Sequence, residues 1–316
     1  DLEEYQHWSN MFDMVIEQDF NPLNLAGYNV VPMAGQGSRF AKVGYSTPKP
    51  LIEVNGYPMV VRATKDLPHT HTILITRDDL SDSRQTFDEV LRGIDNCTVV
   101  SLEKLSQGQA ETCGRALADL EDDCPITIGA CDNGIIYNQI LFSNLFNDPN
   151  IDLIVWGVRK HPNADLRPEM YGWIDQSEGE ISQTSIKKPI TDNPVDPHVM
   201  IGAFSFKKAK DFQRCLEKLI SEDIRVNGEY YVDSCVDIAM KLGLNCRIFT
   251  VDSYISWGTP DELKTYEYWQ SCFHKWQSHK YDMSLDPRIS SINLKILLST
   301  CKPMMPNRPL SHIPND

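Results

Sequence analysis

The chain has 316 residues, enough to bury a large α/β core, with the 41% hydrophobic and 23% charged content of an ordinary globular protein. A net charge of −14 argues against broad nucleic-acid binding, although a local cationic pocket can sit in an acidic protein. The nine cysteines include no C-x-x-C pair, which points to reduced thiols in a cytosolic protein rather than to a zinc site or a disulfide framework.

The acidic, aromatic opening DLEEYQHW is not a signal peptide, and no apolar run approaches a membrane span. Residues 1–12 (DLEEYQHWSNMF) align without gaps to residues 262–273 (ELKTYEYWQSCF), with Leu, Tyr, Trp and Phe coinciding. Two amphipathic helices can match by coincidence. The sharper reading makes residues 1–27 a linker and the last helix of a preceding homologous domain. Short β-branched runs follow at Tyr28–Pro32, Thr72–Thr76, Thr98–Leu102, Ile126–Gly129, Leu153–Val158, Met200–Phe206 and Cys246–Val251. Helix-like stretches alternate with them at Pro58–Lys65, Ser83–Arg92, Gln109–Leu120, Asp211–Ser221 and Val232–Leu242. This alternation predicts a Rossmann-like α/β fold, a mostly parallel sheet flanked by helices in one main domain. Thr259-Pro260-Asp261-Glu262 is a helix start: a cap, a first-turn proline and a capping-box acid, for a helix to about Trp276. Beyond Asp282 the chain turns polar and proline-rich, so residues 277–316 read as a mobile extension or linker.

In such sheets ligands bind at the carboxyl ends of strands, here after Pro32 and after Gly129. The first of these loops is Ala34-Gly35-Gln36-Gly37-Ser38-Arg39-Phe40. Phe40 replaces the last glycine of a dinucleotide fingerprint, and no G-K-[ST] of a P-loop is present. Gly35 and Gly37 let backbone N–H groups approach phosphate oxygens. Arg39 offers a fork to phosphates, and Pro48 and Pro50 restrict the backbone around Lys49. The second loop carries Asp132 at a strand end, where one carboxylate can hold magnesium together with substrate phosphates.

The ordered set VVPMAGQGSRF, TPKPLIEVNGYPM, SQGQAETC, ITIGACDN, YGWI, KKP, VMIGAFSF, NGEYY and WGTPDEL resembles the sugar-phosphate nucleotidyltransferases, in particular those of capsule and surface-glycan gene clusters. The resemblance covers about residues 28–276. It implies a magnesium-dependent enzyme that joins an NTP to a phosphorylated small-molecule acceptor. Ala34, Gly35, Gly37 and Ser38 match nucleotide-loop positions, and Gly108 and Gln109 fall where the family reads base and ribose. Arg39 matches the triphosphate-binding arginine, Lys49 the lysine at the α-phosphate and Asp132 the magnesium aspartate. Tyr171, Gly172, Lys188, Gly202 and Glu229 fall in the acceptor region, Lys188 at the lysine that grips the incoming monophosphate.

Two departures qualify the match. Many relatives carry a second magnesium aspartate just before the glycine–threonine pair, where this chain has Ser256 and Trp257. Asp252 is the candidate substitute, because residues 252, 254 and 256 share one face of an extended strand. Relatives acting on hexoses also place glutamate before the acceptor lysine, where this chain has Ile186 and Lys187. Three readings follow: an NTP:sugar-phosphate nucleotidyltransferase, a cytidylyltransferase for a phospho-alcohol, and a catalytically silent nucleotide-binding module.

Overall fold

The computed structural model describes residues 2–17, 23–77, 84–104, 106–177, 179–190 and 197–301. Helix α1 (Leu2–Glu17) precedes strand β1 (Leu25–Pro32), which leads into the short helix α2 (Ser38–Lys42). Strands β2 (His69–Arg77), β3 (Cys97–Leu102) and β4 (Ile126–Ile128) lie with β1 in the order β4-β1-β2-β3, every pair parallel. A parallel sheet needs both faces covered, and the side chains alternate accordingly. Val30, Ile73, Ile75 and Ile128 pack on one face, and Val31 and Leu74 on the other.

The far half of the sheet is built differently. After the two-stranded pairing partner β5 (Asn133–Ile136) come β6 (Leu153–Val158), the hairpin β7 (Gly172–Ser177) and β8 (Glu180–Ile186), and the long β9 (His198–Phe206). Strand β9 runs antiparallel to β4, β6 and β7, and so ties the parallel half to the rest. Strand β10 (Cys246–Thr250) pairs parallel with β6, completing a mixed nine-stranded sheet. Strand β11 (Ser253–Ser256) forms a separate antiparallel ribbon with β5. The seven runs read as strands from the sequence are all strands here, and the hairpin β7–β8 is the largest addition.

The helices read from the sequence also form, including Gln109–Ala116, Ala209–Ser221 and Ser234–Lys241; Ser83, the expected first residue of another, lies outside the described residues. The helix predicted to start at Thr259 runs from Pro260 to Lys275 and is called α3 below. Thr259 Oγ1 accepts from Glu262 N at 3.2 Å, so the cap is formed as the sequence indicates.

Helix α1 packs antiparallel on α3. Tyr5 meets Phe273 at 5.9 Å while Phe12 meets Tyr266 at 5.7 Å; Tyr5–Trp269 and Trp8–Tyr266 are both 6.2 Å. These are the matching residues of the two similar sequences, so the pair packs with a local two-fold relationship. Residues 277–301, expected to extend away, instead join this core. Tyr281, Met283 and Ile289 are buried in it, because their apolar side chains are spaced among the polar residues that dominate the composition. The proline-rich tail 302–316 lies outside the described residues. No helix among the described residues is long and apolar enough to cross a membrane, and all nine cysteines are free.

Candidate active site

A cavity of about 630 Å³ opens at the carboxyl ends of β1 and β4. Its floor is the loop from Pro32 to Phe40. Gly37 is the glycine that this turn requires: its φ is +61°, and a Cβ there would lie 3.0 Å from the Lys49 Cβ. Gly35 has open space around it and no left-handed backbone, so its role is limited to exposing the chain. Phe40, fully buried, anchors the short helix that presents Ser38 and Arg39 to the cavity.

Lys49 begins a single 3-10 turn, Lys49–Leu51, held by buried Pro50 and Leu51. Its ammonium forms an ion pair with Asp132 Oδ2 across the cavity. Burial alone would lower the Lys49 pKa, but the charge of the Asp132 carboxylate and its hydrogen bond outweigh it and the net shift is upward. Asp132 is fixed from behind: its carbonyl accepts from Trp257 N at 2.8 Å, and the Asn133 amide donates to Ile201 O at 2.9 Å.

The opposite wall is the start of the helix Gln109–Ala116. Gly108 sits at φ +142°, and a Cβ there would come within 2.5 Å of the Tyr230 carbonyl oxygen. The backbones interlock, with Tyr230 N donating to Gln107 O and Ala110 N to Tyr230 O. Gly108, Gln109 and Glu229 therefore line one cavity together with Ala34, Gly35, Gly37, Ser38, Arg39, Lys49 and Asp132. Ser106, Thr112, Cys131 and Gly258 line it as well and were not singled out from the sequence. Gly258 and Glu262 stand in the WGTPDEL segment, the signal that could have found them.

The remaining expected residues fall outside this lining. Tyr171 is half-buried beside His161, and its phenol is raised by burial and by the Glu262 charge. A Cβ at Gly172 would strike the Asp233 carboxylate at 2.5 Å. Gly202, at φ +74°, backs the wall behind Ala130. Lys188 is exposed. Its neighbour Lys187, at φ +62°, turns inward instead, donates to Met170 O and lies 5.7 Å over the Tyr231 ring. Burial lowers the Lys187 ammonium, Asp233 opposes that, and the Arg39 charge adds to it.

Asp252 does not belong to the site. The β5–β11 register sets Ser256 opposite Asn133 and Ser253 opposite Ile136, so Asp252 is at the far end of the ribbon from Asp132. At about 3.3 Å per residue the two are roughly 13–17 Å apart along the strand, and Asp252 is exposed. What lies beside Asp132 is Gly258. A Cβ there would meet Asp132 Oδ2 at 3.2 Å, Glu262 Oε2 at 3.6 Å and Ser256 Oγ at 3.6 Å. Two carboxylates and a hydroxyl around one small space are hard oxygen donors, which suits a divalent cation such as magnesium.

No protein-family model matches the sequence, and no curated protein matches it either. Solved structures do match. A nucleoside-diphosphate-sugar pyrophosphorylase from Vibrio cholerae RC9 superposes with a TM-score of 0.61 at 21% identity, over 75% of this chain and 98% of that one. The fold is that of the sugar-phosphate nucleotidyltransferases. An inositol-1-phosphate CTP transferase from T. maritima gives 0.59 at 16% identity, over 78% and 95%. A UDP-glucose pyrophosphorylase complexed with UDP-glucose gives 0.58 at 15%, over 77% and 97%. The nucleotidyltransferase fold thus accounts for the sheet order and for the placement of the cavity at its carboxyl edge.

Proposed function

We propose that this chain is a nucleotidyltransferase that condenses an NTP with a phosphate monoester, giving an NDP-conjugate and pyrophosphate for glycan precursor synthesis. One observation carries the reading: the glycine loop, Arg39, Lys49 and Asp132 come from three separate segments and converge on one cavity. A catalytically silent module has no need of the partly buried Lys49–Asp132 pair.

In this reaction an acceptor phosphate oxygen attacks the α-phosphorus as the bond to the β-phosphate oxygen breaks. The bonding electrons leave with pyrophosphate, and no covalent enzyme intermediate is required. Backbone N–H groups of the Gly35–Ser38 loop hold phosphate oxygens. Arg39 grips the departing phosphates and Lys49 neutralises charge at the α-phosphate. Gln109 contacts the base, with Gly108 keeping the wall close to Tyr230. Glu229 and Lys187 face the acceptor side. Asp132 would hold Mg²⁺, which when bound neutralises triphosphate charge.

The acceptor class follows from the departure at Lys187. A cation replaces the acid that would accept sugar hydroxyls, which favours a phospho-alcohol or a modified sugar phosphate over an ordinary hexose 1-phosphate. The likeness to an inositol-1-phosphate CTP transferase agrees with this second reading. A pyrophosphate-release screen of the common NTPs against sugar 1-phosphates and phospho-alcohols, with magnesium, tests both. Absence of release with every pair would sink the enzyme reading.

The two-fold packing of α1 on α3 supports a related reading, that the parent protein carries a second such unit upstream. A second Gly-rich SRF loop in the parent reading frame must be present for it to stand.

A further inference from the structure

We propose that Glu262, on the first turn of α3, is the second carboxylate ligand of the divalent cation, acting with Asp132 across the space left by Gly258. The inference rests on the nucleotidyltransferase reading above and deepens it.

The argument begins with Gly258. Its backbone is not left-handed, so its conformation does not require glycine. The requirement is space: a Cβ would sit against Asp132 Oδ2, Glu262 Oε2 and Ser256 Oγ at 3.2–3.6 Å. The three oxygens come from three elements and surround one small space at Gly258, with Asp132 on the side of the large cavity and Ser256 and Glu262 behind it. A lone acidic residue here would be a surface charge. Asp132 Oδ2 already carries the Lys49 ammonium, so a cation in this space would bind in competition with that ion pair, with Glu262 supplying the second negative charge.

Glu262 is held ready for the role. Oε2 accepts from Thr259 Oγ1 at 2.9 Å, and Oε1 accepts from the Asn163 amide at 3.4 Å. Each oxygen retains a second lone-pair direction. Ser256, the last residue of the strand, offers only a hydroxyl, which is too weak a ligand alone, and Glu262 on the next helix supplies the second charge.

The test is metal binding, read by Mn²⁺ electron paramagnetic resonance on the resting protein, with Mn²⁺ alone and with pyrophosphate. Glu262→Gln keeps the capping box, since glutamine serves at that position, but removes the charge. We expect Glu262→Gln and Asp132→Asn each to weaken Mn²⁺ binding on the order of 10–100-fold with Tm unchanged. Gly258→Ala should weaken it as well, by filling the cradle. Asp261→Asn, which alters a carboxylate on the same turn that is not among the oxygens around Gly258, should leave Mn²⁺ affinity within about threefold of wild type. Wild-type affinity in Glu262→Gln alongside a loss in Asp132→Asn overturns the proposal and leaves the proposed function standing. No Mn²⁺ binding by the wild-type protein overturns it too, while pyrophosphate release in the presence of a chelator would still identify a nucleotidyltransferase.

Discussion

Lys49 and Asp132, 83 residues apart in sequence, form an ion pair that closes the floor of the cavity. The pair joins the loop after β1 to the loop after β4, and each partner holds the other where a phosphate and a metal would come. Lys49 therefore stands where a cation on Asp132 would compete with it. Removing Lys49 should separate two properties: Lys49→Ala should lower turnover at least a hundredfold, on the order of 3 kcal/mol in the barrier, while Mn²⁺ binds several-fold tighter because a competing charge is gone. Near-normal rates, or weaker Mn²⁺ binding, would show that the ammonium is merely structural. Asp132→Asn should lose both turnover and metal.

Gly108 predicts a defect of another kind. A methyl group at this position meets the Tyr230 backbone, so Gly108→Ala must push the base-side wall away or strain the loop. We expect a stability loss of about 1–3 kcal/mol and a KM for NTP raised at least tenfold, with acceptor KM little changed. An unchanged NTP KM would remove the 106–109 loop from nucleotide binding.

The buried ions behind the site should prove stability-critical. Arg62 pairs with Asp66 at 2.8 Å, Arg288 lies 3.5 Å from the same carboxylate, and Ile135 N donates to it at 2.9 Å. Asp66→Asn leaves two buried guanidinium groups without their shared counter-charge. Unfolding in urea should show a loss of about 3–5 kcal/mol. A change below 1 kcal/mol would mean that water or another acid replaces it.

Glu267 gives the fold a pH dependence. Burial and the neighbouring Glu53 carboxylate push its pKa up to about 7 from the ordinary 4.5. The unfolded chain loses this proton near 4.5 and the folded chain near 7, so the folded state binds more protons between those values. Stability from this group therefore falls as pH rises from about 4.5 to about 7 and stays low above. Partial exposure reduces the full linkage value to about 1–3 kcal/mol. Glu267→Gln should raise Tm at pH 8 and leave it unchanged near pH 4. An equal gain at both pH values would assign the effect to packing instead of charge.

The strand NVVPMAGQG and the helix start GTPDEL were legible in the sequence because local chemistry decides them: apolar alternation, turn glycines, a capping box. The hairpin β7–β8 was not, since its edge position lets polar residues such as Asp175, Gln176 and Gln183 face water. Which acid lies beside Asp132 depends on the pairing of Ser256 with Asn133, a long-range register that spacing along one strand cannot reveal. Lys187 and Lys188 are likewise indistinguishable as letters. The left-handed backbone at Lys187 sends one inward and leaves the other in solvent.

Arg288 sits in residues 277–301 and reaches under the ribbon that follows Asp132, where its guanidinium donates to Ile135 O at 3.1 Å. Nearby, Ser290 N donates to Asn55 O and the Asn293 amide to Gly56 O at 2.6 Å. A fragment ending at Trp276, where the motif resemblance stops, would keep every residue that lines the cavity. It would nevertheless lose the brace under the ribbon that follows Asp132. A working piece of this chain should therefore extend past Asn293, and a version cut at Trp276 should bind nucleotide loosely and turn over poorly with its motifs intact.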